Sequence, residues 1–365
     1  MRMIYGIHGY GRGHATRALA VLPELRRRHK VRILAGGDAH DALAGEADVV
    51  RIPTLGYHYR ANGTRSNLLT FTRNLPGVID LIAHGPAFQL VRDAFLDFRP
   101  DAVISDAEPW THRVAAERGV PRIGFDHFGV LAYCSPPVAP LDRVRCQRDA
   151  WVYRCLMGDP QRVIVSSFYD APARRPGVCF VGPLLRPEVF EVRAAPGDAL
   201  LAYFNKGAHL FSPRIEGALR RAGAPVIVYG TPRRGVDGNL DFRPPSNRGF
   251  LEDLAGCRAV ISTAGNQLVG EALHFGKPLL VVPEDCVEQR INARAVERMG
   301  IGMRATQNAI GDAVLTEFLR RRETFAANIR RAARDGRRES LAALERFLFE
   351  LTGIETPVDP AARVA

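Results

Sequence analysis

The sequence predicts an α/β protein made of two doubly wound, Rossmann-like domains. Three observations carry this reading. Apolar runs that read as buried strands alternate with helical patterns through both halves of the 365 residues, with no hairpin signal between them. The stretch Gly182-Pro183-Leu184-Leu185-Arg186-Pro187 breaks that alternation and reads as a linker. Ser262 to Asn292 reads as a strand–helix–strand unit whose polar residues sit at strand ends, where doubly wound sheets hold ligands.

The first half begins with a strand over Met3 to Ile7. His8-Gly9-Tyr10-Gly11-Arg12-Gly13-His14 follows, and then a helix with Ala15, Leu19, Leu22 and Leu25 toward the core. Val31 to Leu34 is the next strand. It ends in Gly36-Gly37-Asp38 with no acidic residue at its tip, which argues against a dinucleotide site at the Gly-rich loop. From Arg60 to Arg99, Arg65, Arg73 and Arg92 interleave with Leu68, Leu69, Phe71, Leu75, Leu81 and Ile82. The bland reading is core-facing helices with solvated arginines. Buried strands recur at Ala102 to Ser105, Arg122 to Phe125, Arg162 to Val165 and Val178 to Val181.

The second half opens with a strand over Leu200 to Phe204, ending in Asn205-Lys206-Gly207, and continues with Pro225 to Tyr229. Ala259 to Ile261 runs into Ser262-Thr263-Ala264-Gly265-Asn266-Gln267. Gly265 starts a helix that carries Glu271, Gly276 ends it, and Pro278 blocks its continuation. Leu279 to Val282 is a strand that stops at Pro283, before Glu288 and Gln289. From Thr316 the chain is helical and Arg-rich, with an apolar stripe of Leu341, Leu344, Phe347, Leu348 and Leu351. The tail from Thr356 reads as loose.

Composition bounds the function. At 365 residues there is chain enough for two cores. A hydrophobic share of 46% with 24% charged residues is that of a soluble globular protein. No apolar run approaches the roughly eighteen residues of a membrane span. No signal peptide precedes the first strand, so a cytoplasmic location is expected. Cys134, Cys146, Cys155, Cys179, Cys257 and Cys286 are scattered, without the paired spacing of a zinc site, and read as reduced thiols. No Asp-x-Asp pair sits at a strand end, so no metal and no other cofactor is expected. The net charge of +11 is carried by arginine, since Lys30, Lys206 and Lys277 are the only lysines. That surface attracts phosphates or anionic lipid. Nucleic acid is not expected, because no recognition helix, RNP motif or aromatic-interleaved basic strip is present.

The polar residues fit a nucleotide sugar. Gly265 and Asn266 begin a helix, where backbone N–H groups hold a diphosphate. Glu271, about two turns in, is placed to accept from both ribose hydroxyls, and Glu288 and Gln289 from sugar hydroxyls. Lys206 is a phosphate contact in this reading. His14, a titratable group ending a Gly-rich loop, is the candidate general base. Asp106 is its candidate partner, at the same carboxyl edge of the sheet; Glu108, Asp126 and His127 are weaker candidates.

The stretch from Ser262 to Asn292 resembles the donor-binding region of GT-B glycosyltransferases. The similarity is to the peptidoglycan N-acetylglucosaminyltransferase and the UDP-glycosyltransferases, with their small-residue turn, Glu on the following helix, Pro, Glu/Asp-Gln and Asn. The first loop, Gly-rich and closing on His14, is similar too, so the resemblance covers both halves. It implies two facing domains, 1–182 for the acceptor and 188–334 for the nucleotide sugar, with the last helix, 339–352, crossing back to the first. It also implies a donor site that includes Gly11, Gly13, Thr263 and Gln267, with Phe250 and Leu251 at the base through backbone groups, and the His14–Asp106 pairing known in some UDP-glycosyltransferases. The expected activity is transfer from a UDP-sugar to an acceptor hydroxyl with inversion, the acceptor being a small molecule or lipid-linked. Peripheral membrane contact is expected through Arg65 to Ile82. A nucleotide-sugar 2-epimerase or hydrolase using Asp106, Glu108 and Asp126, and a non-catalytic nucleotide-sugar-binding protein, stay open as alternatives.

Overall fold

In the computed structural model, which describes residues 1–58, 60, 66–204, 210–332, 334 and 336–355, two seven-stranded sheets are each flanked by helices. The first is built from β1 (Arg2–Ile7), α1 (Arg12–Arg28), β2 (Lys30–Ala35), α2 (Gly37–Ala42), β3 (Val49–Arg51), α3 (Asn67–Ala83), α4 (Pro86–Phe98) and β4 (Ala102–Asp106). It continues through α5 (Pro109–Glu117), β5 (Arg122–Asp126), α6 (Gly129–Tyr133), α7 (Arg143–Met157), β6 (Arg162–Ser166) and β7 (Val178–Val181). The second comprises β8 (Leu200–Tyr203), α8 (Pro213–Arg220), β9 (Val226–Tyr229), β10 (Gly235–Asp237), β11 (Leu240–Phe242), α9 (Asn247–Gly256) and β12 (Ala259–Ser262). It closes with α10 (Asn266–His274), β13 (Leu279–Val281), α11 (Val287–Arg298), β14 (Gly302–Arg304), α12 (Asp312–Ala332) and α13 (Gly336–Thr352).

The strand orders are β3-β2-β1-β4-β5-β6-β7 and β10-β11-β9-β8-β12-β13-β14. Every pairing in the first sheet is parallel. Parallel strands are covered on both faces, which is why β4 and β5 are buried at every position and read as continuous apolar runs. The order reverses between β1 and β4 in one sheet and between β8 and β12 in the other. Each reversal opens a crevice at the carboxyl ends of its strands. The two carboxyl edges face one another, because Asn266 at the start of α10 reaches Ser166 and Phe168 at the end of β6. The architecture is α/β of the GT-B type.

The last helix joins the sheets. Leu344, Phe347 and Leu348 of α13 are buried among Ile7, Leu22 and Val181 of the first half. Each contributes about 1.5–3 kcal/mol by leaving water. The helix enters by a close approach: a Cβ on Gly336 would lie 2.1 Å from the Gly182 carbonyl oxygen. Glu339 accepts from the Gly182 amide at 2.8 Å, so α13 is tied to the linker as well as to the core.

Three expectations change. The expected absence of hairpins is overturned by β10 and β11, which pair antiparallel around Gly238, at φ 64°. Asp237-Gly238 was the missed turn signal; its flanking strands, three residues each, are too short to show alternation. The short strands β3 and β14 also escaped notice, because each includes a charged residue that breaks the apolar run. Finally, α3 does not turn its apolar residues to the core. Leu68, Phe71, Leu75, Ile79 and Ile82 recur at helical spacing on its exposed side, with Phe71 at 65% and Ile82 at 73% exposure, while Leu81 is buried. Arg73 shares the exposed side; Arg65 and the tail from Thr356 lie outside the described residues.

Candidate functional site

The catalytic candidate sits at the first crevice. Leaving β1, the loop packs backbone against backbone: a Cβ on Gly9 would come 2.3 Å from the Gly36 carbonyl carbon and 2.0 Å from Thr54 Oγ1. Gly11, at φ 83°, caps α1 and gives its N–H to Asp38 at 3.0 Å. A Cβ on Gly11 or on Gly13 would meet nothing within 4 Å, so the start of α1 opens onto free space. His14, in the first turn, places Nδ1 2.7 Å from Asp106 Oδ1. Asp106 ends β4, directly beside Ile7 of β1 in the sheet. The strand register therefore delivers the two groups to each other.

Arg17 completes the cluster. Its Nε and one terminal nitrogen donate to the two oxygens of Asp106, each at 2.8 Å, and that terminal nitrogen stands 2.9 Å from His14 Nδ1. Arg17 and Asp106 are both buried, at 5% and 0% exposure. Burial pushes the Asp106 carboxyl up, but the Arg17 guanidinium and His14 outweigh it and hold the group below the usual carboxylate range. Nearby His8, whose ring meets that of His14 edge to face, is driven down to about 3 by burial and by His14. Sequence reading missed Arg17. The available signal was its spacing from His14, one helical turn on.

The weaker candidates have other partners. Glu108 caps α5, accepting from the amides of Trp110 at 3.0 Å and Thr111 at 2.7 Å, and burial lifts it to about 7. Asp126 accepts from the Gly129 amide at 2.7 Å and from the Tyr153 hydroxyl; burial and then Asp106 raise it. Both are closed off, at 2% and 1% exposure, so of the three carboxylates that an epimerase or hydrolase reading required, Glu108 and Asp126 are taken up by helix-start amides and a tyrosine hydroxyl. His127 bridges the halves, with Nδ1 donating to the Ser166 carbonyl at 2.9 Å and Nε2 facing Asn292 at 3.2 Å and Glu288 at 3.3 Å.

On the second sheet, α10 begins at Gly265, which has no side-chain cap and open space where a Cβ would lie. Backbone N–H groups there are available to an anion. The Asn266 side chain is not: its oxygen accepts from the Phe168 amide at 3.4 Å and its nitrogen donates to the Ser166 carbonyl at 3.3 Å. Thr263 is 4% exposed, and its carbonyl accepts from the Ser262 hydroxyl at 2.8 Å.

Glu271 also departs from expectation. It is 2% exposed, and Arg186 of the linker grips both its oxygens, at 2.9 and 3.0 Å, with Gln267 donating to one of them at 3.2 Å. It is a clasp between linker and α10 in this conformation, not an open acceptor for ribose hydroxyls. Glu288 accepts from Asn292 at 2.5 Å in the His127 cluster, and Gln289 turns back to the Glu284 amide at 3.0 Å and carboxylate at 3.2 Å. Both are half-buried, and each has protein partners in this conformation. Phe250 packs in α9 against Tyr203 and Tyr229 with its N–H on the Ser246 carbonyl at 3.3 Å, and Leu251 is fully buried. Lys206 lies outside the described residues. The two halves thus share a closed polar seam of His127, Ser166, Asn266, Glu288 and Asn292, of which sequence reading had noted only separate members. Among the described residues, no group of three or more His, Cys, Asp or Glu is placed to hold a metal ion.

Comparison with known proteins accords with this fold. The profile of glycosyl transferase family 1 matches residues 1–322. Similar solved structures include the glycotransferase of kitacinnamycin, with TM-score 0.68, 17% identity and coverage of 95% of this chain and 99% of that one. CalG4, the calicheamicin glycosyltransferase, has TM-score 0.64 at 18% identity over 95% of this chain and 98% of its own. MurG of Acinetobacter baumannii has TM-score 0.60 at 15% identity over 94% and 99%. At these identities the structures speak for the fold. No curated protein matches the chain.

Proposed function

From the membership of this chain in glycosyl transferase family 1, which makes it a glycosyltransferase enzyme, we propose that it moves a sugar from a UDP-sugar to an acceptor hydroxyl with inversion. The carrying observation is the His14–Asp106 contact of 2.7 Å at the open start of α1. With Nδ1 turned to Asp106, Nε2 is the nitrogen that takes the acceptor proton as the acceptor oxygen bonds to the anomeric carbon. The bond from that carbon to the diphosphate oxygen breaks, and the electron pair leaves with UDP. Backbone N–H groups at the start of α10 balance the charge developing on the diphosphate, so no metal is needed. The donor belongs to the second domain, 188–334, and the acceptor to the first, 1–182. Incubation with a panel of UDP- and dTDP-sugars, followed by assay of free nucleotide, tests the reading. Release is expected only when an acceptor is added, and at an unchanged rate in excess chelator. Interconversion of sugars without acceptor, or restoration of activity by magnesium after chelation, counts against it.

The acceptor is amphiphilic in this reading, and the enzyme meets it at an anionic lipid surface on the cytoplasmic side. Support comes from α3, whose outer side is apolar and exposed and whose inner flank is tied to the catalytic loop: Asn74 bonds both ways to Gly56 at 2.8 and 3.1 Å, and Gly56 lies against the Tyr10 ring. No helix of the described residues is long and apolar enough to cross a membrane, so the contact is peripheral. Arginine at such a surface contributes about 1 kcal/mol. Co-sedimentation with anionic vesicles is expected at low salt and is expected to fail for Phe71→Asp with Ile82→Asp. Absence of sedimentation at low salt points instead to a soluble acceptor.

A further inference from the structure

We propose that Arg17 is a positioning residue that keeps His14 neutral, with its one ring hydrogen on Nδ1 and Nε2 bare, by setting a buried positive charge against the same imidazole nitrogen that Asp106 approaches. The proposal rests on the reading of His14 as the base and adds what sets that base's protonation. The geometry is a triangle. Asp106 Oδ1 stands 2.7 Å from Nδ1, a terminal nitrogen of Arg17 stands 2.9 Å from Nδ1, and the same nitrogen donates to Oδ1 at 2.8 Å. A carboxylate alone at that distance stabilises the imidazolium. A guanidinium at nearly the same distance opposes it, and burial keeps water from screening either charge.

Donor and acceptor roles sharpen the point. Arg17 only donates and Asp106 only accepts. The hydrogen on Nδ1 goes to Asp106, and Arg17 directs its own hydrogens to the same carboxylate. Nε2 is thereby left as the proton acceptor. Were Nδ1 bare, it would accept from Arg17 and its lone pair would face Oδ1, which is unfavourable. The fork on Asp106 thus fixes the carboxylate in the one orientation that selects the useful tautomer.

Other groups around the ring do not alter the sign. His8 of β1, held down at about 3, is uncharged at working pH. Tyr5 of β1 is raised well above its ordinary value, by burial first and Asp106 second, and is also uncharged. Asp38 of α2 is turned to the Gly11 amide at 3.0 Å. Asp126 of β5, raised by burial and then by Asp106, is bonded to Tyr153 and Gly129. Among the described side chains, Arg17 is the charge that directly counters Asp106 at His14.

The test is an NMR titration of the His14 imidazole in isotopically labelled full-length protein, its signal assigned by its loss in His14→Gln. In Arg17→Gln the titration is expected to move up by about 1–3 pH units, as for the removal of a nearby like charge. The acidic limb of kcat/KM is expected to move with it, and Arg17→Lys to restore most of the shift. A plain structural tie between α1 and β4 would lower stability without moving the titration, and an unmoved titration overturns the proposal. Should Arg17→Gln not fold, the comparison is Asp106→Asn against the double variant Asp106→Asn with Arg17→Gln. The titration is expected to rise in the double variant, and equality of the two overturns the proposal. Turnover that survives His14→Ala removes the base assignment alone, because the titration reads the imidazole whether or not it is the base.

Discussion

Replacing His14 by alanine is expected to lower kcat by about 10²–10⁴-fold while leaving nucleotide-sugar binding nearly unchanged. The loss is that of a proton acceptor present in the transition state, so it falls on turnover more than on donor affinity. The location supports this separation. His14 stands on α1 of the first sheet, whereas the helix start assigned to the diphosphate, Gly265 before α10, belongs to the second. Asp106→Asn is expected to do less. It keeps the position but removes the charge that fixes the tautomer, and it leaves Arg17 without its partner. Steady-state rates with saturating acceptor, alongside calorimetric donor titration, separate the two effects. A His14→Ala enzyme that turns over normally places the base elsewhere. One that no longer binds donor makes His14 a phosphate-facing group.

Trp110→Ala is expected to lower the stability of the protein by about 3–5 kcal/mol, the usual cost of deleting a buried aromatic side chain. Trp110 is 1% exposed, in the cluster that contains Leu55, Leu81 and Phe88. Its indole N–H donates to Asp80 of α3 at 2.9 Å. Asp80 also accepts from the amides of Ala87 and Phe88 at 2.9 and 3.0 Å, capping α4. Trp110 therefore seats the inner side of α3 while the outer side stays apolar and exposed. Its loss opens a cavity and leaves Asp80 with one partner fewer. Trp110→Phe keeps most of the packing and forfeits the hydrogen bond, so about 1 kcal/mol is expected. Urea unfolding reads both. If the alanine variant loses under 1 kcal/mol, α3 is not held by this side chain.

Much of the fold was legible because parallel sheets write themselves plainly into sequence. Strands buried on both faces appear as apolar runs, and helices between them appear as period-3.6 patterns. The strands from β1 to β9 and β12 to β13 were located this way, apart from β3. The strands that escaped, β3, β10, β11 and β14, have three residues each and, unlike the equally short but wholly apolar and buried β13, include a polar or charged residue that breaks the apolar run. The exposed side of α3 was misread for a related reason. Periodicity reports that a helix has an apolar side, but not whether anything covers it.

At the site, sequence alone determined the groups that local backbone geometry dictates. The loop ending in His14 follows from glycines between a strand and a helix, and the open helix start at Gly265 from a small residue before a helical run. The pairing of His14 with Asp106 was also within reach, because both follow strands at one sheet edge. Tertiary structure decided the rest, since a carboxylate's role depends on which donors arrive from distant chain. Glu271 met Arg186, 85 residues away; Glu108 and Asp126 met helix starts; Asn266 and Asn292 met the opposite half through Ser166 and His127. Arg17 was one turn from His14 in sequence, yet its importance came from Asp106, 89 residues on. Short-range geometry is encoded by spacing, whereas the charge felt by a buried group is set by every neighbour the fold brings within a few ångströms.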